Sequence, residues 1–382
     1  MKIALVIEKL SSRGGREKST AQIAAELARR GYQVTILCQH ADEASRLALP
    51  GVAIQELPSR CPLRWGKLSG FARAVRQAAA QGAFDVVHAM LPLPGADVYQ
   101  VRGGTVPGNR QAGLMRRHGL GKAFARVGCL FNLTRRAQAR LEARAAADEG
   151  MRWLTVSDLV AGEVRRFYGR GKGVRTVYNA VEIPTADAAQ RRAWRDQVRR
   201  RHGIGDDQLV LLSVAANWPL KGMDYLLRAF SQWSPGHPDA RLLLVGPADQ
   251  HAKVAALAGP LAGKVILCDE TDDIFAYYSA ADALVLLSWQ DACSRVVLEA
   301  TRWGLPSLTT ALNGASEVLA GGAGIVVSAP DDLAAVVAGL ERLADPAERA
   351  AMAGRCLAKA DFLSLRRHVN ELEEVYTEVV RS

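Results

Sequence analysis

The sequence lacks long apolar segments and paired cysteines. No stretch approaches 18 consecutive apolar residues, and the first ten residues, MKIALVIEKL, lack the basic stretch and long apolar run of a secretory signal. The six cysteines form no Cys-x-x-Cys pair, which disfavours a disulfide framework and a zinc site. We therefore expect a cytoplasmic protein without a membrane-spanning helix.

The chain is long, and its charge is unevenly distributed. Its 382 residues exceed what one hydrophobic core usually organises, so two domains are expected. Residues 1–205 hold 35 Lys and Arg against 16 Asp and Glu, whereas the remainder holds 14 against 23. The basic half predicts contact with an anionic surface, although a purely solubilising role for these charges stays open.

Apolar runs alternate with helical patterns in two successive series, which is typical of parallel sheets covered by helices. The sequence therefore predicts an α/β protein of two Rossmann-like domains that face each other across a ligand cleft. We place the first domain at 1–183, a charged linker at 184–206 and the second domain at 207–360. The helical pattern of 361–382 has no strand after it, so we expect this helix to pack back on the first domain. The predicted strands are 2–8, 33–38, 85–89, 174–178, 209–214, 241–246, 265–268, 283–287 and 306–309.

Two short motifs follow predicted strands. Gly14 and Gly15 lie between the first strand and the first helix, where glycine lets an anion approach helical N–H groups. The pair lacks the Gly-x-Gly-x-x-Gly pattern, which disfavours a nicotinamide cofactor, and a plain tight turn is an open alternative. Lys221 and Gly222, in WPLKG, likewise follow a strand and open a helix. A lysine there can neutralise a diphosphate, although most such pairs are surface turns.

The segment 284–310, LVLLSWQDACSRVVLEATRWGLPSLTT, carries the strongest signal. Asp291 follows a predicted strand, Ser294 is placed to cap the next helix, and Glu299 lies eight residues after Asp291. Two carboxylates beside a helix start can accept hydrogen bonds from sugar hydroxyls while the helix N–H groups meet a phosphate. Glu299 stands in an apolar helix and should have a partner, so a structural ion pair is an equal interpretation.

Together these motifs resemble the family 4 glycosyltransferases of the GT-B fold. The resemblance rests on the glycine pair, Asn179 in YNAVE, Lys221–Gly222 and the Asp-x7-Glu segment followed by GLPSLTT, and it covers almost the whole chain. DACSRVVLEATRWGLP and PLPGADVYQVRGG further resemble the branch that contains lipopolysaccharide core glucosyltransferase I. Two positions depart from the family pattern: Ala216 replaces a common arginine, and Asn179 is followed by Ala-Val-Glu instead of Gly-Val-Asp.

The resemblance implies a role for each motif. Glu299 would hold the ribose hydroxyls of the donor nucleotide, and Asp291, one methylene shorter than the usual glutamate, would contact the donor sugar. Lys221 would bind the diphosphate. The turn 293–295 would point its amides at the distal phosphate, and the glycine pair would close over the donor phosphate. The further donor-binding positions are Gly14, Gly15, Asn217, Gly222, Gly246, Cys293, Ser294 and Arg295.

Asp97, in PGADVY, falls where that branch has an aspartate near the reaction centre, although a turn aspartate is an open alternative. Together with Lys221 and Asp291 it forms the predicted catalytic set. His88 ends a predicted strand, and a satisfied core histidine is favoured there over a role in the cleft.

The implied activity is a retaining transfer of a hexose from a nucleoside diphosphate sugar, UDP-linked by analogy, to a glycan or glycolipid such as lipopolysaccharide core. The leaving diphosphate needs preorganised positive potential, which Lys221 and two helix starts would supply. Apart from the UDP-sugar co-substrate we expect no cofactor, and no metal, because no Asp-x-Asp follows a strand.

Two other functions stay open. A nucleotide-sugar epimerase of the GT-B fold would release a free sugar nucleotide without any acceptor. A basic nucleic-acid-binding protein is compatible with a pI near 9.5, but the sequence has no recognised reading motif and its second half is acidic. We therefore expect no nucleic-acid partner.

The basic first domain fits an acceptor on an anionic membrane, which a cytoplasmic enzyme would approach as a peripheral protein. We call the cationic residues predicted to face that membrane the basic surface. They are Arg116, Arg117, Lys122, Arg126, Arg135, Arg136 and Arg140.

Overall fold

The computed structural model describes residues 1–11, 14–59, 64–82, 84–117, 119, 128, 132–261 and 263–381. The chain forms two compact units. The first comprises Met1–Ala180 with Ser364–Ser382, and the second comprises Val181–Leu363. Each unit contains a parallel sheet, so the α/β architecture predicted from the alternating pattern is confirmed. Among the described helices, none is both long and apolar enough to cross a bilayer.

The first unit is built around a seven-stranded sheet. Several of its strands are short runs that are buried along their whole length, as expected for a parallel sheet between helices. The strands of this unit are β1 (Lys2–Val6), β2 (Lys9–Leu10), β3 (Gln33–Cys38), β4 (His40–Ala41), β5 (Ala53–Glu56), β6 (Val86–Ala89), β7 (Val98–Val101), β8 (Arg152–Thr155) and β9 (Val174–Thr176). The order in the sheet is β5-β3-β1-β6-β7-β8-β9, and β2 pairs separately with β4.

Four helices of the first unit begin after a residue whose side chain caps the helix. Ser157 accepts a hydrogen bond from the Val160 N–H at 3.3 Å, and the helix that starts there ends at Gly169 in the left-handed conformation. Thr105 likewise caps the helix that begins at Val106. The helices are α1 (Gly15–Arg29), α2 (Glu43–Leu47), α3 (Arg64–Gly82), α4 (Val106–Met115), α5 (Leu133–Ala146) and α6 (Asp158–Tyr168).

The second unit has a six-stranded parallel sheet with the order β12-β11-β10-β13-β14-β15. Its strands are β10 (Val210–Val214), β11 (Arg241–Val245), β12 (Val265–Cys268), β13 (Ala283–Leu286), β14 (Ser307–Thr310) and β15 (Gly324–Val327). Its α-helices are α7 (Ala188–Arg201), α8 (Met223–Trp233), α9 (His251–Leu257), α10 (Ile274–Ala280), α11 (Arg295–Trp303), α12 (Leu333–Ala344) and α13 (Pro346–Leu357). The strand order reverses between β10 and β13, which places the loops after these two strands side by side.

Helix α7 corrects the predicted linker. Residues 184–206 lie inside the second unit, and α7 packs along α10. Arg199 of α7 is 1% exposed and donates to the Ala280 carbonyl oxygen at 3.1 Å, to the Asp282 carboxylate at 3.0 Å and to three carbonyl oxygens within 205–208. An arginine therefore anchors α7 at a position where an apolar residue would be expected. Because of this residue, the apolar periodicity that predicts a helix is weak in this segment.

The C-terminal helix, α14 (Leu365–Arg381), lies in the first unit. Its apolar stripe is buried in the same core cluster as side chains of β1, β3 and α1. That stripe consists of Val369, Leu372, Val375 and Tyr376. At the end of α1, the Arg30 guanidinium forms an ion pair with Glu373 at 2.6 Å. The amino-terminal sheet thus takes part of its core from the last residues of the chain.

Candidate functional site

Lys221 and Asp291 meet at the carboxyl edge of the second sheet. Lys221 follows β10 and Asp291 follows β13, the neighbouring strand, so the topology brings both loops together. The Lys221 ammonium forms an ion pair with Asp291 Oδ2, and the two side chains are 16% and 20% exposed. Asp291 Oδ1 accepts a hydrogen bond from the Cys293 amide at 3.2 Å. A cation and a carboxylate are therefore held at the edge where open parallel sheets bind ligands.

Gly222 lets the lysine loop pass close to β13. Its φ is +62°, and a β-carbon there would lie 2.2 Å from the carbonyl oxygen of Leu287. Any other residue would force the backbone to move, because neither the space nor the left-handed conformation suits a side chain. The Lys-Gly pair is thus explained by the close approach of two loops and not by an isolated surface turn.

The start of α11 lies beside this ion pair. Ser294 occupies the N-cap position, as predicted, but its hydroxyl forms no capping hydrogen bond. Its amide instead donates to Asn313 Oδ1 at 3.1 Å, and the buried Asn313 side chain also donates to Thr309 Oγ1 at 3.0 Å. Two of the amides assigned to a phosphate, those of Cys293 and Ser294, therefore already have side-chain acceptors.

Both carboxylate oxygens of Glu299 are held. Arg295, one turn earlier on α11, donates from Nε to Oε1 at 2.7 Å, and the Tyr278 hydroxyl on α10 donates to Oε2 at 3.0 Å. Glu299 is 7% exposed and Tyr278 1% exposed. Burial raises the pKa of Tyr278 well above its usual value, and the Glu299 charge raises it further, so the phenol remains a donor. Glu299, a carboxylate in an apolar helix that needs a polar partner, thus has two partners.

The loops beside Lys221 are fixed by other predicted residues. The Asn217 side chain accepts a hydrogen bond from the Leu220 N–H at 3.1 Å, which shapes the turn before the lysine. A β-carbon at Gly246 would lie 2.2 Å from the ring nitrogen of Trp218, so this glycine is needed for loop packing. Gln250, which sequence reasoning missed, accepts from the Trp218 amide at 3.3 Å. Contact of Asn217 or Gly246 with a donor stays a prediction.

The glycine pair lies in the first unit, after β1. Gly14 precedes α1 with a φ of +105°, and Gly15 is the first residue of that helix. Arg102, which is 8% exposed, donates to Thr20 Oγ1 at 3.0 Å and to the Arg16 carbonyl oxygen at 3.2 Å, and so fixes the first turns of α1. The helix start therefore presents its N–H groups at the carboxyl edge of the first sheet.

Asp97 does not lie at that edge, and its role at the reaction centre stays a prediction. It immediately precedes β7, so it lies at the amino-terminal end of this strand. Its Oδ2 accepts a hydrogen bond from the Val87 N–H at 2.7 Å, and its amide donates to the Val87 carbonyl oxygen at 3.1 Å. Asp97 thus joins two strands of the sheet, in agreement with the turn-aspartate alternative.

His88 belongs to a buried polar group in the first unit. It is 0% exposed, and its Nδ1 lies 2.7 Å from the Tyr376 hydroxyl. His368 donates from Nδ1 to the Tyr178 carbonyl oxygen at 2.8 Å. Burial lowers the pKa of His88 and brings that of His368 to about 3, and the nearby Arg102 charge adds to both shifts. Both imidazoles therefore stay neutral near pH 7 and serve the core.

The structure brings one subset of the predicted donor residues together in the second unit. This subset is Lys221, Gly222, Asp291, Cys293, Ser294, Arg295 and Glu299. The glycine pair and Asp97 lie in the first unit, and Lys122 and Arg126 of the basic surface lie outside the described residues. Within the described ranges, no group of three or more His, Cys, Asp or Glu residues could hold a metal ion.

Two family models match the chain. Residues 13–183 match the model described as Glycosyltransferase Family 4, and residues 208–345 match Glycosyl transferases group 1. Two parallel α/β units that each match a glycosyltransferase model define an enzyme that transfers sugars, with the GT-B fold. The two matches identify family 4 and group 1 glycosyltransferase domains in the chain, as its motifs indicate.

Named relatives extend this result. D-inositol 3-phosphate glycosyltransferase 2 of Catenulispora acidiphila is 31% identical over 224 residues, 53% of this chain and 52% of that protein. The chain therefore spans about half the length of this relative. Lipopolysaccharide glucosyltransferase WaaG of Escherichia coli K12 is 24% identical over 344 residues, 86% of this chain and 86% of that protein.

Solved structures show the same fold. The crystal structure of WaaG matches with a TM-score of 0.78 at 21% identity and covers 98% of this chain and 99% of that chain. HepE of Anabaena in complex with UDP-glucose matches with a TM-score of 0.74 at 18% identity and covers 99% of this chain and 100% of that chain. Both matches extend over nearly the whole length of each chain.

Proposed function

We propose that this enzyme transfers a hexose from a UDP-linked sugar to a glycan or glycolipid acceptor such as lipopolysaccharide core, with retention at the anomeric carbon. The observation that carries the proposal is the pairing of Lys221 with Asp291 and of Arg295 with Glu299 at one edge of the second sheet. Lys221 offers a cation for a diphosphate, and Asp291 and Glu299 offer carboxylates for sugar and ribose hydroxyls.

Donor binding exchanges partners within this site. The diphosphate takes the place of Asp291 beside the Lys221 ammonium, and the freed carboxylate accepts hydrogen bonds from hydroxyls of the donor sugar. As the bond between the sugar and the diphosphate breaks, Lys221 and the start of α11 stabilise the charge that develops on the leaving group. The reaction needs no metal and no cofactor beyond the donor.

The named relatives support the choice of substrates. WaaG is named a lipopolysaccharide glucosyltransferase, and HepE has been solved with UDP-glucose. UDP-glucose is therefore the first donor to test, with lipopolysaccharide core as acceptor. In this proposal the enzyme acts in the cytoplasm on building blocks of the cell envelope.

A donor screen tests the proposal. UDP-glucose, UDP-galactose and GDP-mannose are added separately at rising concentration, and the unfolding temperature is measured. A donor at 100 times its Kd should stabilise the protein by about 2.7 kcal/mol, because it binds only the folded state. Hydrolysis or transfer products are then examined for the anomeric configuration. A protein whose unfolding temperature is unchanged by every donor would contradict the proposal.

We further propose that the basic surface contacts an anionic membrane. Of its described residues, Arg117, Arg135, Arg136 and Arg140 are exposed. Leu133 in the same helix as the last three is 55% exposed and Met115 is 40% exposed, so apolar side chains accompany the cations. Cations with neighbouring apolar groups are what a headgroup interface binds.

Charge reversal of Arg135, Arg136 and Arg140 to Glu should weaken sedimentation with vesicles that contain anionic phospholipid. Each cation near such a surface contributes about 1 kcal/mol, so the triple change should lower the partition coefficient at least ~100-fold. Vesicles of neutral phospholipid serve as the control, together with a charge reversal at Arg228 in the second unit. Equal sedimentation of the triple variant and the parent protein would refute the membrane contact.

A further inference from the structure

We propose that Arg295 and Tyr278 are positioning residues that hold the Glu299 carboxylate for recognition of the donor ribose, and so make the enzyme select ribonucleotide donors over deoxyribonucleotide donors. This inference rests on the proposed function, since it assumes that Glu299 meets the ribose. It adds two residues, from two helices, to which the motif gives no such role.

The first observation is that each Glu299 oxygen has one hydrogen-bond donor among the residues that the structure describes. Arg295 Nε meets Oε1 at 2.7 Å and the Tyr278 hydroxyl meets Oε2 at 3.0 Å, one donor for each oxygen. An ionised carboxylate has about four acceptor positions, so about two remain, one on each oxygen. The two vicinal hydroxyls of a ribose require two acceptors that are fixed relative to each other. A carboxylate clamped at both oxygens provides them without further loss of rotamer freedom.

The second observation is that Arg295 is poorly placed for helix stability. It is the first residue of α11, where the helix dipole disfavours a cation. An Arg four residues before a Glu is also the less favourable order for an ion pair on a helix, because the reverse order suits the dipole. The pair is nevertheless 18% and 10% exposed and well formed. Stability of α11 therefore does not account for the arginine, whereas orientation of Glu299 does.

The third observation is the origin of Tyr278. It lies on α10, is 1% exposed and reaches Glu299 from outside α11. A buried phenol needs a hydrogen-bond partner, and Glu299 supplies it. Arg295 and Tyr278 therefore hold the carboxylate from two different helices. Rotation of the Glu299 side chain would break at least one of these two hydrogen bonds.

The test compares the affinities for UDP, 2′-deoxy-UDP and 3′-deoxy-UDP by titration calorimetry, with the matching GDP series if the donor screen selects GDP. The parent protein should bind each deoxy nucleotide at least ~10-fold more weakly than the ribonucleotide, because a hydrogen bond to a charged group is lost. The ratio of the Kd for a deoxy nucleotide to the Kd for the ribonucleotide measures this preference. Arg295→Leu and Tyr278→Phe should each reduce the ratio at least ~3-fold. Arg295→Lys, which keeps a donor and a charge, should restore part of it.

Matched controls separate this role from a general loss of structure. Tyr277→Phe removes the neighbouring phenol of α10, which contacts His202 instead of Glu299, and should leave the ratio unchanged. Arg342→Leu breaks another Arg–Glu pair, with Glu348, and should also leave it unchanged. A variant that weakens the binding of all nucleotides equally lowers each affinity but leaves the ratio of the two Kd values unchanged.

The outcomes distinguish the inference from the proposed function. If the parent protein binds neither UDP nor GDP, the proposed function fails. If Glu299→Gln abolishes the preference for the ribonucleotide while Arg295→Leu and Tyr278→Phe keep it, only the positioning role of Arg295 and Tyr278 is refuted. If Arg295→Leu weakens all three nucleotides equally, Arg295 contacts the diphosphate and is not a positioning residue. A parent protein that binds UDP without preference overturns the inference as well.

Discussion

Glu299→Gln and Lys221→Ala should each lower kcat/KM for the donor at least ~10-fold, as the loss of a charged hydrogen bond of ~1.5 kcal/mol or more implies. Lys221 carries the cation that meets the leaving diphosphate, so its loss should reduce kcat as well as donor affinity. Glu299 meets only the nucleotide, so its loss should appear mainly in KM for the donor. Steady-state kinetics with the donor identified by thermal shift would measure both effects.

Two surface changes serve as controls for these variants. Lys253→Ala removes an exposed lysine of α9, and Glu348→Gln removes a carboxylate of α13 that pairs with Arg342 on the surface. Both should retain kinetics close to those of the parent protein. An unchanged kcat/KM for the donor in folded Glu299→Gln and Lys221→Ala proteins would contradict the assignment of the site to the second sheet.

Arg199→Leu should destabilise the second unit by about 3–5 kcal/mol, the usual cost of removing one partner from a buried ion pair. Its guanidinium is 1% exposed and pairs with Asp282 at 3.0 Å. Without it, the carbonyl oxygens at the end of α10 and within 205–208 lose their donor in a place that water reaches poorly. Urea unfolding, followed by tryptophan fluorescence, would measure the change in the free energy of unfolding.

Arg200→Leu is the matched control. Arg200 is the next residue of α7 and is exposed, so its replacement should change the free energy of unfolding by no more than about 0.5 kcal/mol. If the two variants unfold at the same urea concentration, the contacts of Arg199 do not anchor α7.

The sequence predicts the strands with clear apolar runs, and it misses others, among them β7 and β8. The run 265–268 matches β12 residue for residue. Strand β7 contains Gln100, and β8 ends with Thr155, and both residues are 0% exposed. A buried polar residue interrupts the apolar pattern on which the prediction depends. The arginines of α7 obscure a helix for the same reason.

The candidate site was predictable where its residues are close in sequence. The spacing of Arg295 and Glu299, four residues apart on a helix, already places the two side chains on one face. Tyr278 and Asn313 come from other elements, so their contacts depend on the packing of α10 and on the loop after β14. The position of Asp97 before β7 could not be predicted, because a local motif does not tell which end of a strand it occupies.

Synthesis of the chain on the ribosome reverses the usual order in which domains are completed. The second unit, Val181–Leu363, is continuous, so all of its elements are available once that stretch has emerged. The first unit is begun earlier, yet it lacks the apolar stripe of α14 until residues 365–381 have been synthesised. A nascent chain that stops near 360 should therefore carry a finished carboxyl-terminal half and an amino-terminal sheet with an uncovered apolar face, the kind of surface that chaperones and proteases act on.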